Sequence, residues 1–301
     1  MKRFVSAPAR NTGRTSQLVT LALLLLTLAA CANVAGALHK TLGGKAQPLP
    51  HYDHIVIVVE ENHSYTQILG ASSDMPYFAS LAAQGAVFTD SHGVAHPSQP
   101  NYLALFAGST FGVTRDACPQ RLSGDNLASA LATRKLTFTG YSEDMPQPGY
   151  EGCFSDGGGY ARKHNPWVDF ASIPAADNQP FSAFPADSSQ LPAVSFVVPN
   201  QRDDMHSGTT AVADDWLRQN IGPYAQWATT HNSLLIITWD EDDDTDANHI
   251  PTLFYGAHIH PGEYGETINH YDVLRTIEAL EGVSPTNQAA SASTIGDVWQ
   301  P

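Results

Sequence analysis

Ile55-Val56-Ile57-Val58-Val59 is apolar and β-branched at every position. A strand that faced water on one side would alternate with polar residues, so an unbroken run marks a strand buried on both faces, as in parallel sheets. Nearly the same signature recurs at Ala193 to Val198 (AVSFVV) and Ser233 to Trp239 (SLLIITW). Weaker strand patterns cover Ala86 to Thr89, Leu136 to Tyr141 and Thr252 to Tyr255. Between them, helical patterns run over Asp74 to Gln84, Pro100 to Ala107, Asp125 to Ala132, Asp214 to Thr230 and His270 to Leu280. In the last, Val273, Leu274, Ile277 and Leu280 form one apolar stripe. Buried strands alternating with amphipathic helices predict an α/β fold, a mostly parallel sheet with helices on both faces. Tyr150 to Gln190, rich in Gly, Pro, Ser and Asp, is too long for a plain connection and reads as a functional loop.

The N-terminus carries an address. Residues 1–17 are basic and polar, and Leu18 to Ala30 is apolar but too short to span a bilayer, so residues 1–30 read as an export signal. Leu28-Ala29-Ala30-Cys31 resembles a lipobox, with Cys31 as the lipidated residue; cleavage after Ala35-Gly36-Ala37 is the rival. Residues 31–50 read as a flexible tether and 51–301 as a single domain. Either processing route exports the chain, to the cell envelope as a lipoprotein or, after Ala37, as a secreted protein. In an oxidising compartment Cys118 and Cys153 are expected to pair. The loop they close is worth roughly 3 to 4 kcal/mol in the chain-entropy model.

Formal net charge is -15, and the leader holds Lys2, Arg3, Arg10 and Arg14 but no acidic residue, so export makes the chain more acidic still. Such a polyanion gains no counterion release on nucleic acid, which is excluded as a partner. It is also repelled by anionic membrane surfaces, leaving an N-terminal lipid as the only expected membrane contact.

In parallel sheets ligands bind beyond the carboxyl ends of the strands. Val59 is followed by Glu60-Glu61-Asn62-His63, Val198 by Pro199-Asn200-Gln201-Arg202-Asp203-Asp204-Met205-His206, and Trp239 by Asp240-Glu241-Asp242-Asp243-Asp244. Each piece alone is ordinary: acidic runs are usually solvated, and Glu-Asn after a strand is often a turn. Three strand ends carrying carboxylates, carboxamides and imidazoles suit one or more divalent cations whose identity is open. Asp240 to Asp246 is not an EF-hand, since Thr245 and Pro251 stand where Gly and Glu are required. Ser98, ahead of Pro100, is either a nucleophile at a helix N-terminus or simply its N-cap. There is no Walker loop, HExxH, GxSxG or dinucleotide GxGxxG, and Gly157-Gly158-Gly159 has no helix after it to make a phosphate loop.

Five segments in order, His54–Ser64, His96–Gly108, Tyr160–Trp167, Val197–Gly208 and Thr238–Asp243, resemble the bacterial phosphoesterase family of acid phosphatases and phospholipases C, within the alkaline phosphatase superfamily. The likeness runs from about His51 to the C-terminus. It implies an alkaline-phosphatase-like fold and hydrolysis of a phosphate monoester, with phosphatidylinositol 3-phosphate among the candidate substrates. It further implies Glu61, Asn62, Asp240 and Glu241 as metal ligands, Ser98 as the nucleophile forming a phosphoserine, His206 and His164 as catalytic, and His206 also as a ligand or phosphate contact. Lys163, Asn101, His96 and His270 are implied to bind substrate; His249 is a weaker candidate. A phospholipase C-type diesterase is the alternative within the family, and a non-catalytic calcium-binding surface lipoprotein is the alternative outside it.

Overall fold

The computed structural model describes residues 49–300; the expected leader (1–30), Cys31 and the tether as far as residue 48 lie outside the described residues. Among the described residues ten strands are formed: β1 (His54–Glu60), β2 (Ala86–Phe88), β3 (Ser91–His92), β4 (Phe138–Ser142), β5 (Asn178–Pro180), β6 (Val194–Val198), β7 (Ser233–Trp239), β8 (Thr252–Gly256), β9 (Gly262–Tyr264) and β10 (Ile268–Asn269). Eight of them make one sheet in the order β5-β4-β6-β1-β7-β8-β2-β9, and β3 pairs with β10 separately. The continuous apolar run sits in the middle: β1 is parallel to β6 and β7, with Ile57 opposite both Phe196 and Ile236.

Alternation along β1 divides the core in two. Ile55, Ile57 and Val59 pack with α3 (Ser98–Ala107), α4 (Leu127–Thr133) and α7 (His270–Leu280). Val56 and Val58 face the other side, with α1 (Tyr65–Leu69), α2 (Pro76–Ala82), α5 (Thr210–Trp216) and α6 (Gly222–Ala228). Residues 55–59 are wholly buried, and each such side chain contributes roughly 1.5 to 3 kcal/mol of transfer free energy. The expected α/β architecture with helices on both faces is therefore what forms.

Two details differ from the sequence reading. Asp214 to Thr230 is not one helix: α5 gives way to a π-turn over Leu217–Ile221 before α6 begins. Pro223, at the start of α6, has no N–H to continue the ladder, and the wider turn absorbs the break. The strand expected at Thr252–Tyr255 forms as β8, but it alone runs against its neighbours β7 and β2. The Asp240–Pro251 connection contains no helix, so no crossover carries the chain back to a parallel start.

The long insert is pinned rather than loose. The Arg162 Nε donates to Asp169 Oδ1 at 3.0 Å, and its two terminal nitrogens reach the carbonyls of Glu151, Gln120 and Val168. Cys118 and Cys153 are disulfide-bonded, as expected, and tie the insert to the segment after α3.

Candidate active site

The sheet hydrogen bonding continues past the strands and locks their ends together. Glu61 N–H donates to Asp204 C=O at 2.9 Å and Asp240 N–H to Glu60 C=O at 2.9 Å. The residues following β1, β6 and β7 thus meet, as the three strand-end motifs anticipated. Asn62 and Met205 both adopt left-handed backbone, φ 54° and 77°, where side chains are disfavoured. Such conformations persist where surrounding structure over-determines them. The turn that carries Asp204 and His206 also closes tightly at Gly208, where an added Cβ would lie 1.8 Å from the Arg202 carbonyl oxygen.

Glu61 is the hub. Its Oε1 accepts from Tyr102 Oη at 2.7 Å, and its Oε2 from Asn62 Nδ2 at 3.0 Å and Ser98 Oγ at 3.2 Å. His164 Nε2 lies 2.9 Å from Oε1, its ring stacked on Tyr102. Ser98 is the first residue of α3 and makes no capping bond, so the N-cap reading fails; its hydroxyl lies 3.0 Å from Glu241 Oε1 instead. One hydroxyl proton cannot serve both Glu61 and Glu241 at once.

The donor set fits a divalent cation. Asp240 Oδ2 is buried without a hydrogen-bond partner, and so is Asp204 Oδ2, whose nearest cation, His164 Nδ1, stands 3.6 Å away. Burial first, then repulsion from Glu61 and Glu241, pushes the Asp240 carboxyl well above its ordinary range. Burial likewise raises Glu241 to about 7 and Asp204 to about 6. Burial opposes ionisation of Glu61 as well, but His164, Tyr102 and Lys163 outweigh it and hold that carboxyl low. Burial also opposes the charge on His164, yet Glu61 and Asp204 raise it to about 9. Carboxylates crowded this way repel unless a cation lies among them. Glu61, His164 and His206 additionally offer ligand atoms all within 4.8 Å of one another. Of these three Glu61 was expected as a ligand and His206 as a ligand or phosphate contact, whereas His164 was not expected to bind metal.

At the rim, Lys163 Nζ lies 2.6 Å from Asp116 Oδ2 and 3.4 Å from His206 Nε2. Asp116 also takes the Gln99 N–H at the start of α3, 3.1 Å away.

Three expected substrate contacts are committed elsewhere. Asn101 accepts the N–H groups of Val94 and Ala95 and donates to the carbonyls of Ala95 and Pro97, which braces the loop before Ser98 and leaves no free donor. His96 bridges carboxylates, Nδ1 to Glu241 at 2.6 Å and Nε2 to Asp242 at 3.2 Å. His270 is buried and its Nε2 meets the Asp240 carbonyl at 2.6 Å, so it steadies the strand end from behind. His249 stacks on Tyr65 and bonds the Thr89 carbonyl, away from these groups. Asp242 gathers the N–H groups of Asp244, Asp246 and Asn248, so the acidic run after Glu241 is organised by its own backbone.

Tyr102, Asp116 and Asp204 were not singled out from sequence. Asp204 lay in plain view within a strand-end motif. Tyr102 falls on a helix read as apolar, and Asp116 gains its place only because the disulfide and α3 bring it to Lys163.

Residues 71–284 match the family model described as the Phosphoesterase family. The chain is 49% identical over 261 residues to the phosphatidylinositol-3-phosphatase of Mycobacterium tuberculosis, covering 86% of both. It is 32% identical over 220 residues to the phosphate-repressible acid phosphatase of Penicillium chrysogenum, covering 67% of this chain and 53% of that one. It therefore spans about half the length of that fungal relative. Among solved structures, a protein of the alkaline phosphatase superfamily from Vibrio parahaemolyticus superimposes with TM-score 0.58 at 16% identity, over 81% of this chain and 70% of the other. That likeness speaks for the fold.

Proposed function

The chain belongs to the phosphoesterase family, and from that membership we propose that it is an exported, metal-dependent acid phosphatase that hydrolyses phosphomonoesters through a phosphoserine on Ser98. Phosphatidylinositol 3-phosphate is the substrate suggested by the mycobacterial relative's name. The observation that carries the reading is the position of the Ser98 hydroxyl: in the first turn of α3, 3.2 Å from Glu61 Oε2 and 3.0 Å from Glu241 Oε1, on the ends of two adjacent strands.

Glu61, Asp240 and Glu241, with Asn62 beside them, would hold a divalent cation, which when bound supplies the positive charge that lowers the hydroxyl's pKa and offsets charge on the phosphoryl oxygens. Ser98 Oγ attacks phosphorus in line; the Oγ–P bond forms as the bond from phosphorus to the alcohol oxygen breaks, the serine proton passing to a carboxylate beside it. His206, half-buried beside Lys163, returns a proton to the departing alcohol, with His164 behind it. Water then cleaves Oγ–P, restoring the serine and releasing inorganic phosphate. Lys163 lies where it can offset charge on the equatorial oxygens.

The test is p-nitrophenyl phosphate turnover by wild type, Ser98→Ala and Asp240→Asn, before and after chelation and metal re-addition. Full activity in Ser98→Ala removes the phosphoserine, and indifference of all three to metal removes the cation. Phosphatidylinositol 3-phosphate and phosphatidylcholine, offered in vesicles, separate a monoesterase from a phospholipase C.

The Cys118–Cys153 disulfide supports an oxidising destination. Mass spectrometry of the mature N-terminus distinguishes a lipidated Cys31 from cleavage after Ala37, and an intact Met1 from an unfractionated cell overturns export.

A further inference from the structure

Beside Lys163 lies a cavity of about 250 Å³ lined by Asp116, Ala117, Cys118, Cys153, Phe154 and Lys163. Phe154 is 55% exposed, the sole large hydrophobic side chain so displayed among the described residues. Scattered exposed apolar residues are ordinary, but this one is held out on a fixed backbone. Its carbonyl accepts from Tyr150 Oη at 2.7 Å, it bridges to Ala161, and its neighbour Cys153 is cross-linked to Cys118. The Cys153 carbonyl in turn accepts the Arg162 N–H at 2.9 Å.

The cavity shares Lys163 with the catalytic cluster, and Lys163 Nζ is 3.4 Å from His206. A phosphoryl group held at Lys163 would therefore direct the alcohol it esterifies toward the disulfide, Ala117 and the Phe154 ring. Apart from the Lys163–Asp116 ion pair, this wall is carbon and sulfur, which matches the flat face of a ring and offers nothing to an acyclic polar chain. Resting on the phosphomonoesterase reading, we propose that this hollow is the subsite for the ring of the phosphorylated alcohol and that Phe154 determines preference for esters of cyclic alcohols.

The experiment compares 1-naphthyl phosphate, myo-inositol 3-phosphate and phosphoethanolamine as substrates of the full chain, wild type against Phe154→Ala and Phe154→Trp. An aromatic contact of this kind corresponds to about a three- to tenfold effect. Phe154→Ala is expected to raise KM for naphthyl phosphate by that factor with kcat held within about twofold, and Phe154→Trp to restore it. Phosphoethanolamine should not respond. A matching rise for inositol 3-phosphate assigns the subsite to carbon ring faces in general, and a rise for naphthyl phosphate alone assigns it to aryl groups. Equal changes for all three esters, or no change, overturn the proposal. If wild type turns over neither these esters nor p-nitrophenyl phosphate, the hydrolase reading falls. Calorimetric binding of the same phosphates then decides the subsite: a loss confined to ring-bearing ligands in Phe154→Ala upholds it, and any other pattern overturns it.

Discussion

Glu60 and Glu61 follow one another at the end of the same strand, both hidden from solvent, and their surroundings are opposite. Glu61 emerges on the face of α3, where Tyr102, Ser98, Asn62 and His164 converge on its carboxylate. Glu60, one position earlier, falls by alternation on the side of Val56 and Val58, and neither of its oxygens has a partner. Burial, reinforced by Asp204, Asp203, Glu61 and Glu143, drives the Glu60 carboxyl well above its ordinary value of 4.5. The groups around one glutamate favour its ionised form, while burial drives the other toward its neutral form. What separates them is which face of a pleated strand each occupies, and the groups the fold brings to that face.

The comparison can be broken most sharply by activity. Glu61→Gln keeps the shape and removes the charge, and should lower p-nitrophenyl phosphate turnover by about a thousandfold, the scale of losing an electrostatic anchor in an active site. Glu60→Gln should stay within about threefold of wild type. A comparable loss in both variants would mean that facing direction does not separate their roles.

A third buried carboxylate, Asp169, extends the contrast to stability. Burial pushes it up to about 6, with the Arg162 guanidinium working against the rise. Arg162→Met would leave that carboxylate without its cation and should cost about 3 kcal/mol, read by urea unfolding. Adding Asp169→Leu should recover a large part; if the double variant is no better than the single one, the loss comes from the carbonyls that Arg162 also binds.

The unpartnered glutamate then makes a signed prediction about pH. A carboxyl raised in the folded state is neutral in both states below pH 4.5; above that the unfolded chain ionises first, so stability falls as pH rises. Glu60→Gln removes this loss. Unfolding at pH 4 should be unchanged and unfolding at pH 7 should show the variant more stable; equal stability at both would indicate that Glu60 is ionised and compensated. The smallest effect is expected at Glu278. Its Oε1 keeps the Thr286 N–H and hydroxyl at 2.8 and 2.7 Å, while Oε2 has no partner. Burial raises it from 4.5 to about 7, so its cost builds between those two pH values and then levels off. Glu278→Gln should flatten the stability curve in that window and nowhere else.

The run at residues 55–59, its echoes at 193–198 and 233–239, and the stripe in α7 are local periodicities, and every one appears in the structure at nearly the expected bounds. They fix an α/β sheet with two apolar faces, because a fully apolar strand and a one-sided helix each admit few environments. The same linear reading assembled the strand-end motifs that meet at Glu61, Asp240 and Asp204. It did not see β3, β5, β9 and β10, two or three residues each and too short to carry a period. Nor did it see the reversed direction of β8, which depends on the path of a loop. Asn101, His96 and His270 had side chains suited to a phosphate, but the turn just before α3 takes the Asn101 amide, and neighbours remote in sequence, Glu241 and Asp240, claim His96 and His270. Tyr102 and Asp116 joined the site because α3 and the disulfide carry them there. Hydrophobic period is a property of consecutive residues and survives in the sequence; the partner of a buried charge is a property of three-dimensional proximity, and only the folded chain supplies it.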